Sequence, residues 1–160
     1  MRWQEVYKWF GDFFTERGFK RKNKILYRKN EYAAFCVFFE CTGLGSVYFN
    51  YSFYPLIMPC EFFHYGYGGR LIDLCGPKVS TGLKTSLNMP YETEDAIAEW
   101  VRLCMDTVDR KLIPLFDKLA DPKELRRILH SKHKNNQLRC SNANRLMLAA
   151  YFEVYLCKNK

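Results

Sequence analysis

Cys60-Glu61-Phe62-Phe63-His64 sets a thiol and an imidazole one helical turn apart, and His130-Ser131-Lys132-His133 with Cys140 beyond could supply further metal ligands. Zinc needs four ligands held close, usually built from tight Cys or His pairs. Neither run has that spacing, and there is no CxxC in the chain. The expectation is surface histidines and a core cysteine, with no metal. Nor do the glycine runs cradle a phosphate. Gly43-Leu44-Gly45 and Gly66-Tyr67-Gly68-Gly69 fit neither GxxxxGK[ST] nor GxGxxG and read as turns, so no cofactor is expected. There is no GxSxG elbow, and Ser80, Ser86 and Ser131 have no activating context. A Cys–His pair such as Cys75 or Cys60 with His64 is the one nucleophilic option to weigh, because such partners can meet from distant sequence. No catalytic residue is assigned on this basis.

Charge offers a different chemistry. The formal net charge is +8, unevenly spread. Residues 17–29 carry Arg17, Lys20, Arg21, Lys22, Lys24, Arg28 and Lys29 with no acid, a local +7. Residues 122–145 carry Lys123, Arg126, Arg127, Lys132, Lys134, Arg139 and Arg145 against Glu124, a local +6, which leaves −5 for the rest. The binding candidates are therefore Lys20, Arg21, Lys22, Lys24 and Arg28 in one cluster, and Arg126, Arg127, Lys132, Lys134 and Arg139 in the other. If the two share a face they form a footprint for an anionic partner, either an acidic protein or a nucleic-acid backbone. The competing reading is a solvated face whose Lys and Arg stems lie over aromatic surface.

A second candidate surface is aromatic. Ser46–Tyr54 alternates, with Val47, Phe49, Tyr51 and Phe53 on one face and Tyr48, Asn50, Ser52 and Tyr54 on the other. Tyr32–Glu40 is apolar on both faces. Such strands need cover on both sides, either from the chain's own helices or from a partner. Tyr48, Asn50 and Tyr54, if exposed, suit protein recognition, since Tyr joins a large contact area to a polar tip.

The elements that must position these residues are readable. Trp3, Val6, Tyr7, Phe10, Phe13 and Phe14 recur at helical spacing and predict a helix over about 2–17, with Gly18 just past its end. Strands are expected at Ile25–Lys29, Tyr32–Glu40 and Ser46–Tyr54, with a turn at Asn30-Glu31 and a stop at Pro55. His64–Gly69 reads as a loop, and Arg70–Leu74 and Lys84–Met89 as further strands. Thr93 is a candidate N-cap for a helix bearing Ile97, Trp100, Val101, Cys104, Val108 and Leu112, which Pro114 bends or ends. Asp121-Pro122-Lys123-Glu124 restarts a helix, with Glu124 able to reach back to the cap, and this helix runs to about His130. Residues 131–140 form a basic loop, and Ser141 caps a last helix through Leu146, Leu148, Ala149, Phe152 and Leu156.

Helix, then strands, then helices defines an α+β fold: an antiparallel sheet with an N-terminal helix and a helical C-terminal half. At 160 residues and 48% hydrophobic content the chain is expected to form one domain, with helix and strands over 1–90 and the helical half over 91–160. No apolar run approaches the ~20 residues of a membrane span. MRWQEVYKWF lacks the layout of a secretory signal, and seven scattered cysteines make a poor disulfide framework. A cytoplasmic protein with free thiols is expected.

Taken in order, the aromatic first helix, GFKRKNKILYRKN, the aromatic strand, YFNYSFYPL and IPLFDKLADPKELRRIL resemble the bacterial family called domain of unknown function 4304. Its G-F…[FY]-x-R-type segment is met at Gly18, Phe19 and Tyr27, with Arg28 directly after Tyr27 and Lys29 where the motif has Arg, and the likeness is sharpest over about 18–55. The resemblance implies a helix leading into a two-sided aromatic strand pair, and it transfers no catalytic residue. By analogy, small bacterial proteins of this kind stand beside toxin genes as immunity proteins. The functional expectation is a non-enzymatic, immunity-like protein-binding module that masks an acidic partner. The alternative is a nucleic-acid-binding protein using both basic clusters, and a third reading is a small enzyme with dispersed residues.

Overall fold

The computed structural model describes residues 3–41, 47–58, 67–74, 93–131, 140 and 142–159. The strand at Lys84–Met89, the Cys60–His64 pair, Cys75, His133 and the Ser141 cap all lie outside these residues.

Helix α1 (Trp3–Thr15) buries Val6, Phe10 and Phe14 on one stripe. Gly18 ends it with φ of 78°. The Phe19 amide reaches back to the Phe14 carbonyl and the Gly18 amide to that of Thr15, both at 3.0 Å. This is a Schellman closure, which only glycine enters without strain. Its accompanying apolar contact is the Phe14–Phe19 ring pair, 5.0 Å between centroids. The Gly-Phe pair in the sequence is thus the turn that delivers the chain into the sheet.

Five antiparallel strands follow in the order β1 (Lys20–Lys22), β2 (Ile25–Lys29), β3 (Ala33–Cys41), β4 (Val47–Pro55) and β5 (Gly68–Arg70). The basic strip is therefore a hairpin. A short β1 precedes the strand expected at Ile25–Lys29, and Asn23, at φ of 56°, begins the two-residue turn. Asn is among the few side chains that accept this backbone region. The next turn is held by Asn30, whose Oδ1 accepts from the amides of Tyr32 and Ala33 at 3.1 and 2.8 Å.

Two expectations in the middle of the chain are corrected. Gly68 and Gly69 belong to β5 rather than to a loop. A Cβ at Gly68 would lie 2.2 Å from the Tyr51 carbonyl oxygen, so bare backbone is what lets β5 close on β4. The strand expected over Arg70–Leu74 stops at Arg70, and Leu71–Leu74 form a 3-10 turn. Asp73 Oδ2 takes the Arg70 amide at 2.9 Å, which turns the chain out of the ladder.

In the C-terminal half, α2 (Glu94–Thr107) starts at Thr93, whose Oγ1 accepts from the Ala96 amide at 3.2 Å. A π turn (Val108–Leu112) joins it to α3 (Ile113–Ala120), with Pro114 in the first turn of α3. Helix α4 (Pro122–His130) is capped by Asp121 through the Lys123 and Glu124 amides. Glu124 does not reach back; its carboxylate binds Arg127 at 2.8 Å. Helix α5 (Asn142–Lys158) closes the domain.

The helices cover one face of the sheet. Phe10 sits 4.9 Å from Phe39, 5.5 Å from Phe49 and 5.9 Å from Trp100, between ring centroids. Phe116 on α3 lies 5.1 Å from Phe35 and 6.1 Å from Phe19. Tyr32 Oη donates to the Leu119 carbonyl at 3.1 Å, and burial pushes its phenol up to about 12. The architecture is α+β, an antiparallel sheet with an N-terminal helix and a helical C-terminal half. Among the described residues no helix is long and apolar enough to cross a membrane.

Candidate functional site

Residues paired across an antiparallel ladder point to the same side of the sheet. On the side away from Phe10 and Phe116, one row reads Lys20, Tyr27, Cys36, Ser52, Gly68. A second reads Lys22, Ile25, Phe38, Asn50, Arg70. Lys29, Ala34 and Tyr54 form a third, and Glu40 faces Tyr48 beyond them. The register is unbroken over all four pairings. The basic hairpin and the aromatic strand, separate candidates in the sequence, thus share one surface.

That surface has an apolar middle and a charged margin. Ile25, Tyr27, Ala34, Phe38, Tyr48 and Tyr54 are half-buried, while Lys20, Lys22, Lys29, Glu40 and Arg70 are exposed. Asn50 was expected to be a contact residue, but it is a floor group only 8% exposed, and its Nδ2 donates to Glu40 Oε2 at 3.3 Å. At this end Phe38, Glu40, Asn50, Arg70 and Asp73 line a hollow of about 640 Å³. The Arg70 guanidinium stacks 3.7 Å from the Tyr48 ring centre. Ser52 is 1% exposed, and among the described residues its Oγ finds no hydrogen-bond partner. Cys36 beside it is no nucleophile, since burial pushes its thiol up to about 12.

Much of the apparent basic excess is spent inside the molecule. Arg17 binds Asp109 on the π turn, and Arg28 Nη2 meets Asp117 Oδ1 at 2.6 Å while lying 5.5 Å over Phe19. Arg21 donates to the Asn23 carbonyl at 3.1 Å and stacks on Tyr7 at 4.7 Å. Lys20, Lys22, Lys24 and Lys29 are exposed on the hairpin, as is Arg21.

Of the second basic cluster, Arg126 and Arg127 are described, on α4. Arg126 binds Glu153 at 2.7 and 2.9 Å, and Arg127 binds Glu124. With Lys123 and His130 they line a shallow hollow of about 450 Å³ on α4. Lys132, Lys134 and Arg139 lie outside the described residues. One residue, the cap Asp121, separates α4 from Ala120, whose carbonyl meets Asn30 Nδ2 at 3.4 Å at the far end of β2 from the Asn23 turn. Strand rise separates those two ends by roughly 16 Å.

Sequence reasoning missed Tyr27, Ile25, Lys29, Phe38 and Arg70 as members of the face. The local signal was the two-residue step Lys20, Lys22 reflected through Asn23-Lys24 into Ile25, Tyr27, Lys29. Among the described residues no group of three His, Cys, Asp or Glu side chains could hold a metal ion. Comparison with protein-family models, curated proteins and solved structures returns no match.

Proposed function

We propose that this chain is a non-enzymatic binding module that takes an acidic protein segment on the second face of its sheet. One observation carries the reading: the ladder sets Lys20 beside Tyr27 and Lys22 beside Ile25, on the same side as Tyr48 and Tyr54. An apolar middle with a charged rim is the usual anatomy of a protein interface. The lysines at the rim would steer an acidic partner and fix its register. Masking such a partner is the immunity-like role, in a cytoplasmic protein of the domain-of-unknown-function 4304 family. The Gly18-Phe19 closure supports that kinship by giving its motif a structural purpose.

A nucleic-acid backbone fits less well. Glu40 and Asp73 stand at one end of this surface and would repel a phosphate chain as they would any anion, so an acidic segment is confined to the lysine end. Arg17 and Arg28, the cations best shaped for phosphate, are paired with Asp109 and Asp117. The second reading, a single strand stacked on aromatic rings, draws support from the lysines next to Tyr27.

Amide chemical shifts should be followed while adding a Glu/Asp-rich peptide or an oligothymidine at about 150 mM salt. The peptide is expected to move β1 and β2, and Lys20→Gln with Lys22→Gln to weaken it. Nucleic acid is expected to bind only nonspecifically, at about 10⁻⁴–10⁻⁶ M. Oligothymidine binding tighter than ~0.1 µM, with a salt slope falling by about one per lost lysine contact, would overturn the protein reading.

A further inference from the structure

Glu40 and Arg70 carry opposite charges on either side of Asn50, and among the described residues they form no ion pair. Asn50 on β4 is paired with Arg70 on β5 and with Phe38 on β3, so its amide stands between the two neighbouring strands. Glu40, two residues beyond Phe38, takes a hydrogen bond from Asn50 Nδ2 at 3.3 Å. A carboxylate only accepts, so this contact fixes which way the amide is turned: Nδ2 faces Glu40 and Oδ1 is left over. Among the described residues Oδ1 accepts no hydrogen bond, although Asn50 is only 8% exposed. Buried amides are normally satisfied at both ends.

Arg70 is likewise uncommitted. Its guanidinium lies 3.7 Å from the centre of the Tyr48 ring, and among the described residues it donates no hydrogen bond. Stacking holds the fork in place and leaves its N–H edge open, an arrangement that takes a carboxylate two-pronged. The nearby Asp73 carboxylate is turned to the Arg70 backbone amide, at 2.9 Å, and not to the guanidinium.

We propose that this hollow binds a free α-amino acid with an apolar side chain. The ligand's ammonium sits between Glu40 and Asn50 Oδ1, its carboxylate on the Arg70 fork, and its side chain against the half-buried Phe38. Such a zwitterion carries its charges in the reverse order of the site's, and neither a simple anion nor a simple cation satisfies both ends. The span agrees. Two strand spacings put β3 and β5 roughly 10 Å apart, and an ammonium and a carboxylate on one carbon, each with a hydrogen bond of about 2.8 Å, bridge roughly 9 Å. The volume, about 640 Å³, is that of an ordinary small-molecule site. This site does not depend on the acidic-segment reading, since Lys20 and Lys22 are on β1, at the opposite edge of the sheet from Arg70 on β5.

The Asn50 side-chain amide and the Arg70 Nε–H should be followed by NMR while L-phenylalanine is added to the full chain. For a ligand of about a dozen non-hydrogen atoms, binding on the order of 0.1–1 mM is expected, with both groups shifting. N-acetyl-L-phenylalanine lacks the ammonium and L-phenylalaninamide lacks the carboxylate; each should bind at least ~10-fold more weakly, and neither comparison needs a variant. Arg70→Gln and Glu40→Gln should each cost a similar factor. Both positions are exposed, and the remaining amide spectrum reports that the fold is kept. Lys20→Gln with Lys22→Gln should leave the affinity unchanged, so this site and the acidic-segment reading fail separately. No shift at ~10 mM, an analogue that matches phenylalanine, parent-like binding by both Gln variants, or loss of binding in the lysine variant would each overturn the proposal.

Discussion

The guanidinium of Arg17 grips both carboxylate oxygens of Asp109, at 2.6 and 2.8 Å, across 92 residues of chain. The same guanidinium lies 3.4 Å over the Phe13 ring and donates to the Phe13 carbonyl. It ties the end of α1 to the π turn. Two-pronged geometry raises the value of such a pair, but the side chains are 27% and 46% exposed, so solvent screens it. Asp109→Ala should cost about 0.5–1 kcal/mol in urea unfolding, and the double cycle with Arg17→Ala should show a coupling of similar size. Strict additivity of the two substitutions would mean the pair contributes nothing.

Phe10→Ala should cost about 3–5 kcal/mol, because Phe10 is fully buried and its ring touches Phe39, Phe49 and Trp100. Chemical denaturation measures it. A loss under about 1 kcal/mol would contradict the packing described.

Gly68→Ala should destabilise by about 1–3 kcal/mol, since the added methyl meets backbone at 2.2 Å and backbone cannot swing aside. Gly11→Ala is the control. It has nothing within 4 Å and lies inside α1, so it should be neutral or stabilising by up to about 1 kcal/mol. Equal effects at the two glycines would refute the close approach of β5.

Cys36, with its thiol pushed up to about 12 by burial, should resist alkylation at pH 8 until the protein unfolds. Cys157 is exposed and should react within minutes. Peptide mapping after timed labelling separates the two. A full titration in denaturant without reductant should count all seven thiols. Early labelling of Cys36 would show that the middle of the sheet opens.

Hydrogen bonding to Arg126, then to His130, holds the Glu153 carboxyl below its usual range. A depressed carboxyl stabilises the fold above its unfolded pKa, about 4.3, and loses that contribution as pH falls through the lower folded value. Glu153→Gln should therefore be less stable than the parent at pH 7. The gap should narrow as pH drops below about 4.3. A gap that stayed constant with pH would sever stability from this ionisation.

The features legible in the sequence were those with a local cause. The Phe10–Phe14 stripe marks α1, the αL closure needs Gly18, and the Asp121 carboxylate caps α4. Strand β1 escaped because Lys-Arg-Lys carries no apolar alternation; what makes it a strand is its ladder with Ile25, Leu26 and Tyr27. The sharing of one face by Lys20 and Tyr48 depends on register carried through four strands, which no window of sequence contains. Likewise the +7 cluster looked free because Asp109 and Asp117, which neutralise Arg17 and Arg28, lie 92 and 89 residues on.

The Tyr32–Leu119 hydrogen bond spans 87 residues, and this sets a schedule during synthesis. At about 5–20 residues per second, Tyr32 leaves the ribosome roughly 4–17 s before the carbonyl it must meet. In that interval the hairpins can pair, but Phe35 and Phe53 have no Phe116 to cover them. The nascent sheet is then a sticky intermediate, and the lysines of its first strand are what keep neighbouring nascent chains from adding to its edge.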